Sequence, residues 1–192
     1  MIRHGSTKSN TQYRYLGKTD EPLSKEGEDE LLRYKQSNLY PEINELFTSP
    51  MKRCIQTANI LYPDLEPIIV KEWSEIDFGL FEGKNYIELK DDRRYQAWID
   101  SNGTLPFPDG ESREQFIARC REGFFIMQNI VWNHSSEQKT IGMIVHGGTI
   151  MALLSSYYGG EYFDYHAANG KGYIVRGKQC DQKLIITDIT PL

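Results

Sequence analysis

Arg3-His4-Gly5 stands almost at the start of the chain, and a second His-Gly pair, His146-Gly147, closes a continuous apolar run much later. A phosphoryl group brings two negative charges toward any nucleophile that attacks it, so fixed cations must surround the point of attack. Arg3 supplies a planar fork of donors that stays charged. His4 offers a neutral imidazole lone pair near pH 7. Such a pair suits an apolar core poorly and suits attack on phosphorus well, although an Arg-His-Gly triplet alone is a weak signal. Arg53, in Ser49-Pro50-Met51-Lys52-Arg53, adds a second guanidinium; taken alone, such a residue is more often a solvated surface charge. His146 alone reads equally well as a hydrogen-bonded core histidine. Their value lies in convergence, which depends on the elements that carry them.

Helix and strand signals alternate along the chain. Ile2 and Arg3 read as the tail of a very short first strand. Ser24 is expected to cap a helix through about residue 38, with Glu26, Glu28 and Asp29 near its positive end. Residues 45–48 read as a strand, and a second helix follows from Ser49-Pro50. Residues 67–70 form a third apolar strand, residues 91–100 a helix, and residues 103–110, with two prolines, a loop. In residues 111–134, Phe116, Cys120, Phe124, Met127 and Val131 recur at helical spacing. Residues 140–145 are the most strand-like run, continuous and β-branched as expected of a strand covered on both faces. Strands at 173–176 and 184–189 finish the chain. This alternation predicts an α/β fold, a three-layer α/β/α sandwich with a mostly parallel central sheet. In such sheets ligands sit at the carboxyl ends of the strands, and Arg3, His4, Arg53 and His146 all fall there. The helix after Gly148 aims its positive end at the same place.

Composition narrows the class. At 192 residues, with 39% hydrophobic and 26% charged residues, the chain is expected to form a single domain over 1–192. A net charge of −5 argues against nucleic acid as a partner. The three cysteines are widely spaced and form no zinc pattern, so no metal is expected, and a reducing cytoplasm fits. No apolar run reaches membrane-spanning length and no leader is read ahead of Met1, so a cytoplasmic location away from membranes is expected.

The motifs, taken in order, resemble the histidine phosphatase superfamily, whose fold is that of cofactor-dependent phosphoglycerate mutase. Arg3-His4-Gly5-Ser6-Thr7 with Asn10 resembles its N-terminal signature, and Leu16-Gly17 followed by Pro22-Leu23-Ser24 its next segment. Ser49-Pro50 through Arg53 and Thr57-Ala58 resembles its second-arginine motif. Glu75-Ile76-Asp77-Phe78-Gly79 and Phe81-Glu82-Gly83 resemble the segment carrying its acid. Pro108-Asp109-Gly110-Glu111-Ser112 and His146-Gly147-Gly148 follow in order. The ordered set covers essentially the whole chain.

That resemblance implies that His4 attacks phosphorus and becomes phosphohistidine, while Arg3, Arg53 and a protonated His146 hold the phosphoryl oxygens. Ser6, Asn10 and the backbone at Gly17 and Gly147 would complete the cradle, with Gly5 letting the backbone come close. Glu75 would protonate the departing oxygen and then activate water. A cap-like helical and loop insertion is expected around residues 80–112, where Tyr86, Tyr95, Trp98 and Phe107 could stack on a base or sugar. Met1 and Ile2 alone precede Arg3, so the first strand is expected to be stunted or clipped. Met151 stands where an arginine often follows the second His-Gly pair and is not counted as a ligand. The mutases of the family resemble one another in longer chains and in asparagine where this chain has Gly148.

The expected activity is therefore a metal-independent phosphatase of a small phosphorylated metabolite, needing no cofactor, with α-ribazole 5′-phosphate a candidate substrate. A phosphoglycerate mutase and a silent phospholigand-binding module are the alternatives. Monomer and homodimer both remain open.

Overall fold

The computed structural model describes residues 1–134, 139–180 and 183–192. Four strands, β1 (Ile2–Arg3), β2 (Glu45–Thr48), β3 (Ile68–Ile69) and β4 (Ile141–Val145), form a parallel sheet in the order β1-β4-β2-β3. The helices are α1 (Lys8–Thr11), α2 (Lys25–Gln36), α3 (Lys52–Leu61), α4 (Tyr86–Leu89), α5 (Arg93–Asp100), α6 (Arg113–His134) and α7 (Gly147–Tyr157). Strand alternation sorts the core into two sides. Ile2, Leu46 and Ile144 meet Leu31 of α2 and Cys54, Ala58 and Leu61 of α3. Phe47, Met143 and Val145 meet Phe116, Cys120 and Phe124 of α6 and Leu153 of α7. The result is the three-layer sandwich the alternation predicts. Each fully buried Phe or Leu contributes roughly 1.5–3 kcal/mol.

Several boundaries differ from the sequence reading for local reasons. The helix expected from Ser49-Pro50 starts at Lys52, because the Ser49 amide still donates to Ile144 of the sheet. The helix expected from residue 91 starts at Arg93, where the Asp92 carboxylate caps the Arg94 amide. The helix expected from residue 111 starts at Arg113, since Ser112 and Gln115 satisfy each other's amides ahead of it. The third strand shrinks to Ile68–Ile69, and α1 and α4 were not anticipated. The closing strands, β5 (Tyr173–Cys180) and β6 (Lys183–Pro191), do not extend the parallel sheet. They pair antiparallel as a hairpin that touches β1 through an isolated bridge between Gly172 and Ile2.

Residues between Gly79 and Ser112, with α4 and α5, lie beside a cluster of rings from Tyr15, Phe78, Phe81, Tyr95, Trp98 and Phe107. Tyr95 stacks on Trp98 at 6.2 Å, and Trp98 on Phe107 at 5.0 Å. Of the rings that could stack on a ligand or simply fill the core, Tyr95 and Phe107 are buried against their neighbours, while Tyr86 is exposed on α4. Among the described residues no helix is long and apolar enough to cross a membrane. Cys54, Cys120 and Cys180 are all free thiols.

Candidate active site

Three chain segments leave the sheet side by side. Arg3 is level with Val145 and Thr48 with Ile144, so His4, Ser49 and His146 emerge from adjacent strand ends. The His4 amide donates to Val145 and its ring is buried. His4 Nδ1 lies 2.7 Å from the Gly5 carbonyl. A carbonyl only accepts, so Nδ1 carries the proton and Nε2 keeps its lone pair. Burial, with Arg53 and Arg3 nearby, holds His4 well below the ordinary histidine range, so the ring is neutral at pH 7.

Both arginines are held by neutral oxygens. Arg53 is fully buried and donates to Thr19 O at 2.9 Å and Gly17 O at 3.0 Å. Arg3 donates to Ala167 O at 2.8 Å. The Nε donors of both are buried without a partner. Neither guanidinium makes an ion pair among the described residues. Buried cationic donors lacking an acceptor are strongly disfavoured unless an anion satisfies them, which makes this a fitted anion site.

His146 is fully buried, its ring 5.1 Å from that of His4. Ser49 Oγ accepts weakly from the Met51 amide at 3.4 Å and lies 2.7 Å from His146 Nε2. A hydroxyl donating to Nε2 leaves the ring proton on Nδ1, which stands 3.9 Å from Glu75 Oε2. Burial, then Arg53, His4 and Arg3, holds His146 well below the usual histidine range.

Glu75 sits across from the strand ends, and Oε1 accepts from the Ile76 amide at 2.9 Å. Burial pushes its carboxyl upward, opposed by that amide and by Arg53 and Arg3. A methyl group on Gly148 would lie 2.6 Å from Glu75 Oε1 and 3.0 Å from the Phe116 ring. The second glycine after His146 is thus the space the carboxylate occupies.

The remaining expected residues divide. Asn10 Oδ1 accepts from the Thr7 amide and from Asn169 Nδ2, and its own Nδ2 makes no bond among the described residues. Gly147 opens α7, whose cap His146 makes no side-chain capping bond, so the first amides are open to an acceptor. Ser6 is half-buried, with only a long 3.5 Å contact to Thr7 O. Gly17 offers no donor: its amide is taken by Glu82 Oε1 at 2.8 Å, and its carbonyl holds Arg53. A Cβ on Gly5 would lie 2.6 Å from Leu31 of α2, so helix packing also favours glycine there.

Sequence reasoning missed four supports. Ser49 orients His146. Thr57 Oγ1 accepts from the Gly5 amide at 3.0 Å and donates to Arg53 O at 2.7 Å. Glu82 ties the Gly17 and Thr19 amides. Asn169 Nδ2 reaches His4 O and Asn10 Oδ1, both at 3.1 Å. Ser49, Thr57 and Glu82 all lie inside quoted motifs, and Asn169-Gly170 is a turn dipeptide; none of these signals names a partner.

Glu75 also lines a cavity of about 580 Å³, together with Lys18, Met51, Asp77, Glu111 and Arg119. Among the described residues no cluster of His, Cys, Asp and Glu is arranged to hold a metal ion.

The sequence model of the histidine phosphatase superfamily (branch 1) matches residues 1–185. A 2,3-bisphosphoglycerate-dependent phosphoglycerate mutase of Bifidobacterium longum is 30% identical over 128 residues, 60% of this chain and 51% of the mutase. The chain thus spans about half the length of the mutases it matches first. The uncharacterized phosphatase PhoE of Bacillus subtilis is 29% identical over 163 residues, 84% of this chain and 77% of that protein. The solved α-ribazole phosphatase of Shigella flexneri superimposes with a TM-score of 0.78 at 20% identity, over 97% of this chain and 92% of that one. At that identity the likeness shows the fold alone.

Proposed function

Because the chain belongs to the histidine phosphatase superfamily, we propose that it is a metal-independent phosphatase that hydrolyses a small phosphorylated metabolite through phosphohistidine. One observation carries the reading: His4 presents an unprotonated Nε2 beside two guanidiniums that make no ion pair among the described residues. In the first step Nε2 attacks phosphorus, the bond to the leaving oxygen breaks, and Glu75 gives that oxygen its proton. The raised carboxyl of Glu75 suits it to hold a proton for this step. Arg3, Arg53 and the α7 amides take the charge on the equatorial oxygens, and the arriving dianion draws a proton onto His146. In the second step ionised Glu75 takes a proton from water, the water oxygen attacks phosphorus, and the P–N bond breaks. Inorganic phosphate leaves with His4 neutral and Glu75 protonated again.

The finer assignment, α-ribazole 5′-phosphate, rests on the motif likeness, while Tyr95 and Phe107 of the cap are packed into the core. A cytoplasmic location and a partner set limited to small phosphorylated substrates belong to the same reading. The mutase alternative is favoured by the Bifidobacterium relative, and stimulation of phosphoglycerate interconversion by 2,3-bisphosphoglycerate would establish it. Turnover of p-nitrophenyl phosphate in EDTA, compared between the parent and His4→Ala, tests the proposal. Turnover that survives EDTA and vanishes with His4 supports it; turnover lost to EDTA, or retained by His4→Ala, overturns it.

A further inference from the structure

Pro108-Asp109-Gly110-Glu111-Ser112 packs directly on the segment that carries the acid. The Leu80 amide donates to Pro108 O and the Glu111 amide to Asp77 O, both at 2.9 Å. Residues 74–78 belong to no helix or strand, so no regular ladder fixes Glu75 in place. Its carboxylate is fastened to its own backbone, since Oε1 accepts from the Ile76 amide. Where the segment goes, the acid goes. Two side chains hold that segment on either side of Glu75. Ahead of it, Arg119 Nη1 donates to Glu72 O at 2.7 Å and to Ser74 O at 2.8 Å. Behind it, Glu111 Oε2 accepts a long 3.4 Å bond from the Asp77 amide, beside the bond from its own amide to Asp77 O. The two side chains lock each other: Arg119 Nε and Nη2 donate to Glu111 Oε1 and Oε2 at 3.1 and 2.7 Å. The Arg119 guanidinium also lies 5.1 Å from the centre of the Phe116 ring, which itself lies against Gly148.

Resting on the phosphatase reading above, we propose that Arg119 and Glu111 are positioning residues that clamp residues 72–77 and so set where the Glu75 carboxyl stands relative to the leaving oxygen. Both act through Glu75. The clamp depends on the planar fork of the guanidinium, which serves a carboxylate with one edge and two carbonyls with its remaining nitrogen. A lysine in its place keeps the charge and loses that geometry.

The test measures kcat/KM on an alkyl phosphate and on p-nitrophenyl phosphate for the parent, Arg119→Met, Arg119→Lys and Glu111→Gln, with thermal unfolding curves and His4→Ala alongside. Arg119→Met should lose on the order of tenfold to a hundredfold on the alkyl ester, the scale of a catalytic group displaced by about 1 Å. The nitrophenyl ester, whose phenolate leaves without a proton, should lose far less. Arg119→Lys should fall with Arg119→Met, and Glu111→Gln should lose in the same direction by less; that variant carries the comparison if Arg119→Met does not fold. The decisive arm is a Glu75→Gln background, in which Arg119→Met, or Glu111→Gln in its stead, should cost nothing further on the alkyl ester, because the effect passes through the carboxyl. Loss of the same size with and without that carboxyl, equal loss on both esters, or full alkyl-ester activity in Arg119→Lys overturns the inference. Nitrophenyl phosphate turnover that depends on His4 leaves the phosphatase reading standing beside such a result; turnover that survives His4→Ala removes both.

Discussion

Gly148→Ala is the substitution whose effect follows most closely from geometry. The added methyl would lie 2.6 Å from Glu75 Oε1, whereas 3.4 Å is an ordinary contact, so the difference, about 0.8 Å, must be made up by movement. The Phe116 ring, at 3.0 Å, is fully buried and also crowds the methyl. The carboxylate therefore yields. Gly148 lies inside α7, where alanine is intrinsically better by about 0.5–1 kcal/mol, while overpacking opposes it by about 1–3 kcal/mol. Net stability should thus fall by no more than about 2.5 kcal/mol, and the variant should fold. Misplacing a catalytic group by about 1 Å is worth about a hundredfold in rate. An alkyl phosphate, whose leaving oxygen needs a proton, should lose about that factor in kcat/KM. p-Nitrophenyl phosphate, whose phenolate leaves unaided, should lose far less. Steady-state kinetics on both esters, beside a thermal unfolding curve, make the comparison. Equal loss on both esters, or no loss on either, would refute the claim that Gly148 is glycine to seat the acid.

Glu82→Ala should raise KM for any phosphate ester by about tenfold, because the loop that holds Arg53 loses the carboxylate tying the amides of Gly17 and Thr19. Glu82→Gln, keeping one acceptor, should recover part of it, and an unchanged KM in the alanine variant would detach that loop from the site. Acid should destabilise the protein: His4 and His146 bind protons less readily folded than unfolded, so stability falls as pH drops below about 6.5. Each histidine contributes at most about 1.4 kcal/mol per pH unit below that point. Urea unfolding at several pH values between 5 and 7.5 should therefore show a shallower slope in His146→Asn than in the parent; an identical slope would mean that His146 titrates normally.

The residues that bear charge and nucleophilicity were legible because strand-to-helix periodicity placed Arg3, His4, Arg53 and His146 at strand ends, and the structure brings all of them together. Glu75 joined them only through the motif resemblance, since an isolated glutamate carries no positional signal. What stayed hidden was set by contacts between distant segments. Nothing near Trp98 announces that Tyr95 and Phe107 fill both of its faces, and nothing near Gly5 announces Leu31. The hairpin of β5 and β6 reads as two more alternating apolar runs until the pairing partner is known. The protonation of His146 depends on two arginines far from it in the chain. Spacing can gather charges at a strand end; it does not say which of them remain charged once water is excluded.

Rapid quenching of the enzyme with a 32P-labelled phosphomonoester under alkaline conditions is the most direct measurement available. Label on His4 that is stable to base, released by acid and missing from His4→Ala would meet the expectation. Full turnover with the label on another side chain, or with no protein-bound label at any quench time, would contradict it.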